Sequence, residues 1–156
     1  MNDELFMKEA IRLARQGMLA NKGWPFGAVI VRNGQIIGRG YNRVISDNDP
    51  TAHAEIIAIR EACRHLDSHQ LKDCTVYASC APCPMCLGAL YWARPARVVY
   101  AADAQAAANA GFDDQLIYEE LKKPAAERRL PMEKMMADEG NKLFIEWRNK
   151  PDKIQY

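Results

Sequence analysis

"AVIVRNGQIIGRGYN", residues 28–42, places Asn33-Gly34 between two apolar, β-branched runs. Asn-Gly accepts positive φ at both central positions of a tight turn, so this stretch predicts a β-hairpin. Toward the N-terminus, "GWPFG" (23–27) separates the hairpin from a helical pattern running from Asp3 to about Leu19. In that pattern Phe6, Ala10, Leu13, Ala14 and Met18 form one stripe behind an acidic first turn. Toward the C-terminus, loop composition ("SDNDPT", 46–51) leads into "TAHAEIIAIR" (51–60). A helix is predicted there to about His65, with Thr51 as candidate cap and Ile56, Ile57 and Ile59 as candidate core residues.

"CTVYASC" (74–80) reads as a buried strand and "CPMCLGALYWA" (83–93) as a helix stopped before Arg94-Pro95. "RVVYAA" (97–102) is another strand. Beyond it, "DAQAAANAG" looks helical and ends at Gly111, "FDDQLIYEELKK" is amphipathic, "PMEKMM" (131–136) fits an edge strand, and "NKLFIEWRNK" has a helix-like pattern before Pro151. A hairpin followed by alternating helices and strands makes a mixed sheet covered by helices. The class is α/β, with residues 1–156 as a single domain.

At 156 residues and 49% hydrophobic composition, the chain is long enough for one sizeable core. Lys and Arg number 21 against 20 Asp and Glu, a net charge of +1. That balance argues against a dedicated nucleic-acid binder, which carries a basic excess, and leaves room for a local patch. "MNDELFMKEAIRLARQGM" is charged throughout and fits neither a signal peptide nor a membrane span, so a soluble, cytoplasmic protein without membrane contact is expected. Five cysteines, three of them (Cys80, Cys83, Cys86) within seven residues, fit a metal site or reactive thiol better than a disulfide framework.

His53 is the odd residue in its helix: a satisfied core imidazole or a ligand. With Pro84 as first helical residue, Cys83 takes the cap and Cys86 the first turn. Both sulfurs then reach one ion, and the helix N-terminus favours thiolates. Two thiolates and an imidazole select zinc over magnesium or calcium, and three protein ligands leave an open catalytic position for water. Cys-x-x-Cys alone also fits a redox pair or half a structural zinc site, with Cys80 the rival fourth ligand. Glu55, two residues after His53, reaches the same pocket if His53 lies outside helical geometry. A carboxylate there can move protons to and from the metal's water.

His53-Ala54-Glu55 followed by Pro82-Cys83-Pro84-Met85-Cys86 resembles the H-x-E, P-C-x-x-C signature of zinc nucleobase deaminases. The likeness spans roughly residues 1–102. Within the cytidine/deoxycytidylate deaminase superfamily the chain looks most like bacterial guanine deaminases, through "KGWPFGAVIV", "NDPTAHAE", "PCPMCLGALYWARP", "AGFDDQLIYEE" and the tail "WRNKPDKIQY". Two departures stand out: Ala81 where the superfamily usually carries Glu, and Trp24 where a small residue is usual.

The resemblance implies a three-layer αβα sandwich with a mixed five-stranded sheet. It implies one Zn2+ per subunit on His53, Cys83 and Cys86, with a water or hydroxide as fourth ligand. Guanine would be hydrolysed to xanthine and ammonia, in purine salvage or catabolism, with Glu55 shuttling protons and Asp114 assisting. Phe26, Asn42, Ala54, Trp92, Asp114 and Tyr156 would contact the substrate. A homodimer is implied, with about residues 131–156 exchanged between subunits. Guanosine, cytosine and transfer-RNA adenosine are rival substrates. A structural zinc module without turnover is the rival of another class; it requires a fourth protein ligand and no role for Glu55.

Overall fold

A computed structural model describes residues 2–156. The hairpin is formed by β1 (Gly27–Arg32) and β2 (Gln35–Tyr41), paired antiparallel with a register shift between Ile30 and Val31. Asn33 and Gly34 both have positive φ, +50° and +74°, as the turn requires. β1 also pairs antiparallel with β3 (Thr75–Cys80), and β3 pairs in parallel with β4 (Arg97–Ala102). The sheet is therefore mixed, in the order β2-β1-β3-β4.

Alternation along these strands feeds two cores. Val29, Val31 and Tyr77 pack with Phe6, Ala10 and Leu13 of helix α1 (Asp3–Leu19). Ala28, Ile30 and Val76 face the opposite way, against helix α3 (Ala54–Leu66) and helix α4 (Pro84–Ala93), which supplies Leu90 and Ala93. The result is helix, sheet, helix. A short helix α2 (Val44–Asp47) replaces part of the loop predicted after the hairpin.

Two core assignments differ from the sequence pattern. On α1 Gly17 is buried under the Tyr41 ring, while Met18 is largely exposed. On α3 the fully buried positions are Ala54, Ala58 and Ala62, and the isoleucines are only half-buried. The reason is the close approach of α3 to β2. A β-carbon at Gly40 would collide with the Ala54 carbonyl oxygen, and one at Gly38 with that of Ala58. Gly40→Ala is expected to destabilise the fold by about 1–3 kcal/mol, the usual cost of overpacking. A urea denaturation midpoint that does not move would contradict this close packing.

Larger departures lie near the C-terminus. The sheet has four strands among the described residues, not five. The predicted edge strand at 131–136 is irregular, and its last residue, Met136, adopts left-handed backbone (φ +53°) as the cap of the next helix. That conformation breaks the extended run, and Pro131 has no N–H to offer a ladder. Helices α5 (Ala104–Asn109) and α6 (Gln115–Lys122) follow β4, and after a 3-10 turn (Ala125–Glu127) comes α7 (Ala137–Asn149). Compactness divides the chain into a larger unit ending at Tyr118 and a smaller one, Glu119–Tyr156. Among the described residues no helix is long and apolar enough to cross a membrane.

Candidate metal centre and active site

Residues 53 and 83 both occupy helix caps. His53 is the N-cap of α3 with extended backbone (φ −70°, ψ 155°), so it lies outside the helix and its ring can share a pocket with Glu55 in the first turn. Cys83 is the N-cap of α4 with the same geometry, Pro84 opens the helix, and Cys86 is buried within it. α3 and α4 pack in the same core on one face of the sheet, which brings the two caps together across 30 residues of chain.

The His53 Nδ1 atom lies 3.5 Å from Cys83 Sγ and 3.6 Å from Cys86 Sγ. Zinc bonds of about 2.3 Å to sulfur and about 2.0–2.1 Å to nitrogen, at tetrahedral angles, separate such atoms by about 3.6 Å. The donor set and its spacing both fit zinc. Among the described residues this trio is the one His/Cys/Asp/Glu cluster able to hold a metal. Cys80 stands apart, with its thiol directed to the Asp103 carbonyl at 3.6 Å.

The thiols are strongly polarised. Cys83 is lowered to about 4, first by the hydrogen bond that Cys86 donates and then by His53. Cys86, the donor of that bond and buried, is raised. The bond to Cys83 also raises His53 above its ordinary value.

Glu55 is 7% exposed, and Cys86 Sγ lies 3.4 Å from its Oε2. Burial raises its carboxyl above the ordinary range. A carboxyl so placed is able to hold a proton or release it under small changes in charge nearby.

These groups open into a cavity of about 430 Å³, within the range that encloses small organic ligands. Asn42, Phe26 and Asp114 line it together with His53, Glu55 and Cys83. Asn42 is 2% exposed, and its Oδ1 accepts the backbone N–H groups of Trp24 (3.3 Å) and Val44 (3.1 Å). With the oxygen occupied from behind, its NH2 donors remain for a ligand acceptor. Asp114 is raised first by burial, and the charges of Cys83 and Asp113 add to the shift.

The other residues expected in the site are placed differently. Ala54 is fully buried at the start of α3, and only its neighbours on either side reach the cavity wall. Trp92 lies on α4, 62% exposed, and is not part of that wall. Tyr156 belongs to the smaller unit and is exposed there.

The wall also contains residues that the sequence pattern did not single out, chiefly Phe112, Pro50, Met85 and Ile117. Phe112 could have been suspected: it follows Gly111, whose φ of +95° ends α5, and its N–H returns to the Ala107 carbonyl at 2.9 Å. Ala81, the departure before Pro82-Cys83, lines the same cavity.

Comparison with known proteins agrees with this geometry. Residues 1–102 match the family described as the cytidine and deoxycytidylate deaminase zinc-binding region. Guanine deaminase of Bacillus subtilis (strain 168) is 54% identical over 156 residues, covering all of both chains. The X-ray structure of guanine deaminase from Bacillus subtilis superposes with a TM-score of 0.97, over 100% of this chain and 99% of that one. A tRNA-specific adenosine deaminase of Aquifex aeolicus (strain VF5) is 44% identical over 103 residues, 65% of this chain and 67% of its own. A crystal structure containing 2,6-diaminopurine is 34% identical, with a TM-score of 0.69 over 72% of this chain and 62% of that one.

Proposed function

Because the chain belongs to the cytidine and deoxycytidylate deaminase family, we propose that it is a zinc-dependent aminohydrolase converting guanine and water to xanthine and ammonia. The observation that carries this reading is the His53, Cys83 and Cys86 cluster at zinc spacing, with the Glu55 carboxyl beside it in one purine-sized cavity. Full-length similarity to a guanine deaminase, not only to transfer-RNA deaminases over about two thirds of the chain, selects the substrate.

When bound by His53, Cys83 and Cys86, zinc supplies a Lewis acid that brings the acidity of water close to neutral pH. The remaining work belongs to the chain. Glu55 takes a proton from the attacking water and passes it to the base and its amine, so that ammonia leaves and the ring keeps the oxygen. No electrons are exchanged with any partner. Asn42, limited to donating, holds an acceptor on the base, while the Asp114 carboxylate accepts from a ring N–H. Guanine presents both on its rim. Phe26 and Phe112 supply apolar ring contacts. Ala54 is assigned a contact through its main chain, and Trp92 one only if it turns toward the substrate.

We assign Tyr156 a role in closing the site within a homodimer that exchanges about residues 131–156. Support comes from the smaller unit itself, where Leu143, Phe144, Ile145, Trp147 and Ile154 all remain exposed, an apolar surface suited to burial by a second subunit. The five cysteines are all free thiols, which supports a reducing, cytoplasmic setting. A non-catalytic zinc module fits less well, because the described residues offer no fourth protein ligand at the cluster.

An ammonia-release screen against guanine, guanosine, adenine and cytosine tests the proposal. Guanine should give the highest kcat/KM. Absence of ammonia from guanine at full zinc loading refutes it.

A further inference from the structure

Trp24 lines the cavity that holds Asn42, His53 and Glu55, yet it is 40% exposed, whereas Glu55 on the same wall is 7% exposed. A large aromatic side chain is thus kept partly in water at the outer rim of a pocket. Its backbone is held firmly. The Trp24 N–H donates to Asn42 Oδ1 at 3.3 Å, its carbonyl accepts the Phe26 N–H at 2.8 Å, and a β-carbon at the preceding Gly23 would collide with Asn42. The Trp24 backbone is therefore tied to Asn42.

The ring has aromatic company on one side. Its centroid is 6.1 Å from that of Phe112, tilted 56°, and Phe112 meets Phe26 edge-on at 5.2 Å. Phe26 is packed against the sheet core, so Trp24 is the outermost member of a three-ring wall. A fused two-ring base offers such a wall more π-face than a single six-membered ring does.

We propose that Trp24 is a specificity-determining residue whose indole stacks on the outer ring of a fused two-ring amino-heterocycle while the reacting ring sits at His53, Cys83 and Cys86. The assignment rests on the deaminase reading of the same site. Indole stacking on a base tolerates different ring substituents, because every base offers a π-face. Trp24 therefore selects for ring count, and Asn42 and Asp114 select among two-ring bases.

The test uses zinc-loaded wild type, Trp24→Ala and Trp24→Phe. It measures kcat and KM on guanine, the Kd of 2,6-diaminopurine by calorimetry, and inhibition by cytosine as a one-ring competitor. Trp24→Ala should raise both the guanine KM and the diaminopurine Kd roughly tenfold, the scale of one lost base-aromatic stack. Its kcat should change far less, and cytosine inhibition should stay as it is in wild type. Trp24→Phe should recover most of the affinity.

Unchanged KM and Kd in Trp24→Ala overturn the assignment, as does an equal loss for cytosine. Equal defects in the Phe and Ala variants, with altered melting, overturn it in favour of a packing role. If wild type binds diaminopurine in a Trp24-dependent way but releases no ammonia from guanine, the stacking assignment stands and the functional proposal fails. If wild type deaminates guanine and Trp24→Ala behaves as wild type, the stacking assignment alone fails.

Discussion

Glu55→Gln lowers kcat on guanine by roughly 10²–10⁴-fold, the range of a positioned acid-base group, and leaves zinc content unchanged. Glutamine keeps the shape and a hydrogen-bonding oxygen near Cys86 but cannot carry a proton from water to the amine. Single-turnover ammonia release with metal analysis on the same samples checks the expectation. Undiminished turnover in this variant would remove Glu55 from the chemistry.

The same substitution has a stability signature whose sign follows from burial. The native Glu55 carboxyl is raised, so the folded state holds a proton that the unfolded state releases. Stability then falls as pH rises from the ordinary carboxylate value through the raised one, and is fully present below both. In metal-free protein, Glu55→Gln should lose less stability than wild type as pH rises above the ordinary carboxylate range. Denaturant titrations at several pH values in the presence of a chelator read this directly. Parallel curves for the two proteins would mean that burial does not perturb the carboxyl.

Cys83→Ala removes zinc and abolishes turnover, by about 10³-fold or more, since a metal ion contributes several kcal/mol of charge stabilisation and each 1.36 kcal/mol is tenfold in rate. The site is left with one imidazole and one thiol, too few for a tetrahedral ion with an open position. Loss of the metal should also lower the melting temperature, because binding favours the native state that brings the two helix caps together. Cys80→Ala is the internal control: its thiol points to the Asp103 carbonyl, not to the cluster. That variant should retain zinc and lose only packing. Zinc retention in Cys83→Ala, or zinc loss in Cys80→Ala, would redraw the ligand set.

The grouping of His53, Cys83 and Cys86 was legible in the chain as a candidate metal cluster. The Cys83 cap could be inferred because the spacing of Cys83, Pro84 and Cys86 is a local helix-start pattern, and His53 and Glu55 share a pocket only if the first lies outside its helix. The structure has that arrangement, with extended backbone at His53. Asn42 was named through resemblance, and it lines the cavity, but that its oxygen is occupied by the N–H groups of Trp24 and Val44 was not legible in the sequence. Phe112 was overlooked since a lone aromatic after a glycine carries no period. The core face of α3 was read in part. Ile59 does pack against the core, but the fully buried positions are Ala54, Ala58 and Ala62, because Gly38 and Gly40 of β2 let the helix backbone come close.

Sequence alone determined the local pieces: the Asn33-Gly34 hairpin, most of the helices, the Cys83 cap of α4 and a ligand set suited to zinc; the cap of α3 is His53 and not Thr51, because the helix begins only at Ala54. These depend on interactions between residues a few positions apart, which periodicity and turn chemistry record. Tertiary structure decided the rest. The meeting of His53 with Cys83, the choice of Ala54, Ala58 and Ala62 as the buried face, the four-stranded extent of the sheet and the aromatic wall of Trp24, Phe112 and Phe26 all depend on strand register and close packing between distant segments. No local pattern encodes such distances, because they arise only when the whole sheet and its helices exclude water together.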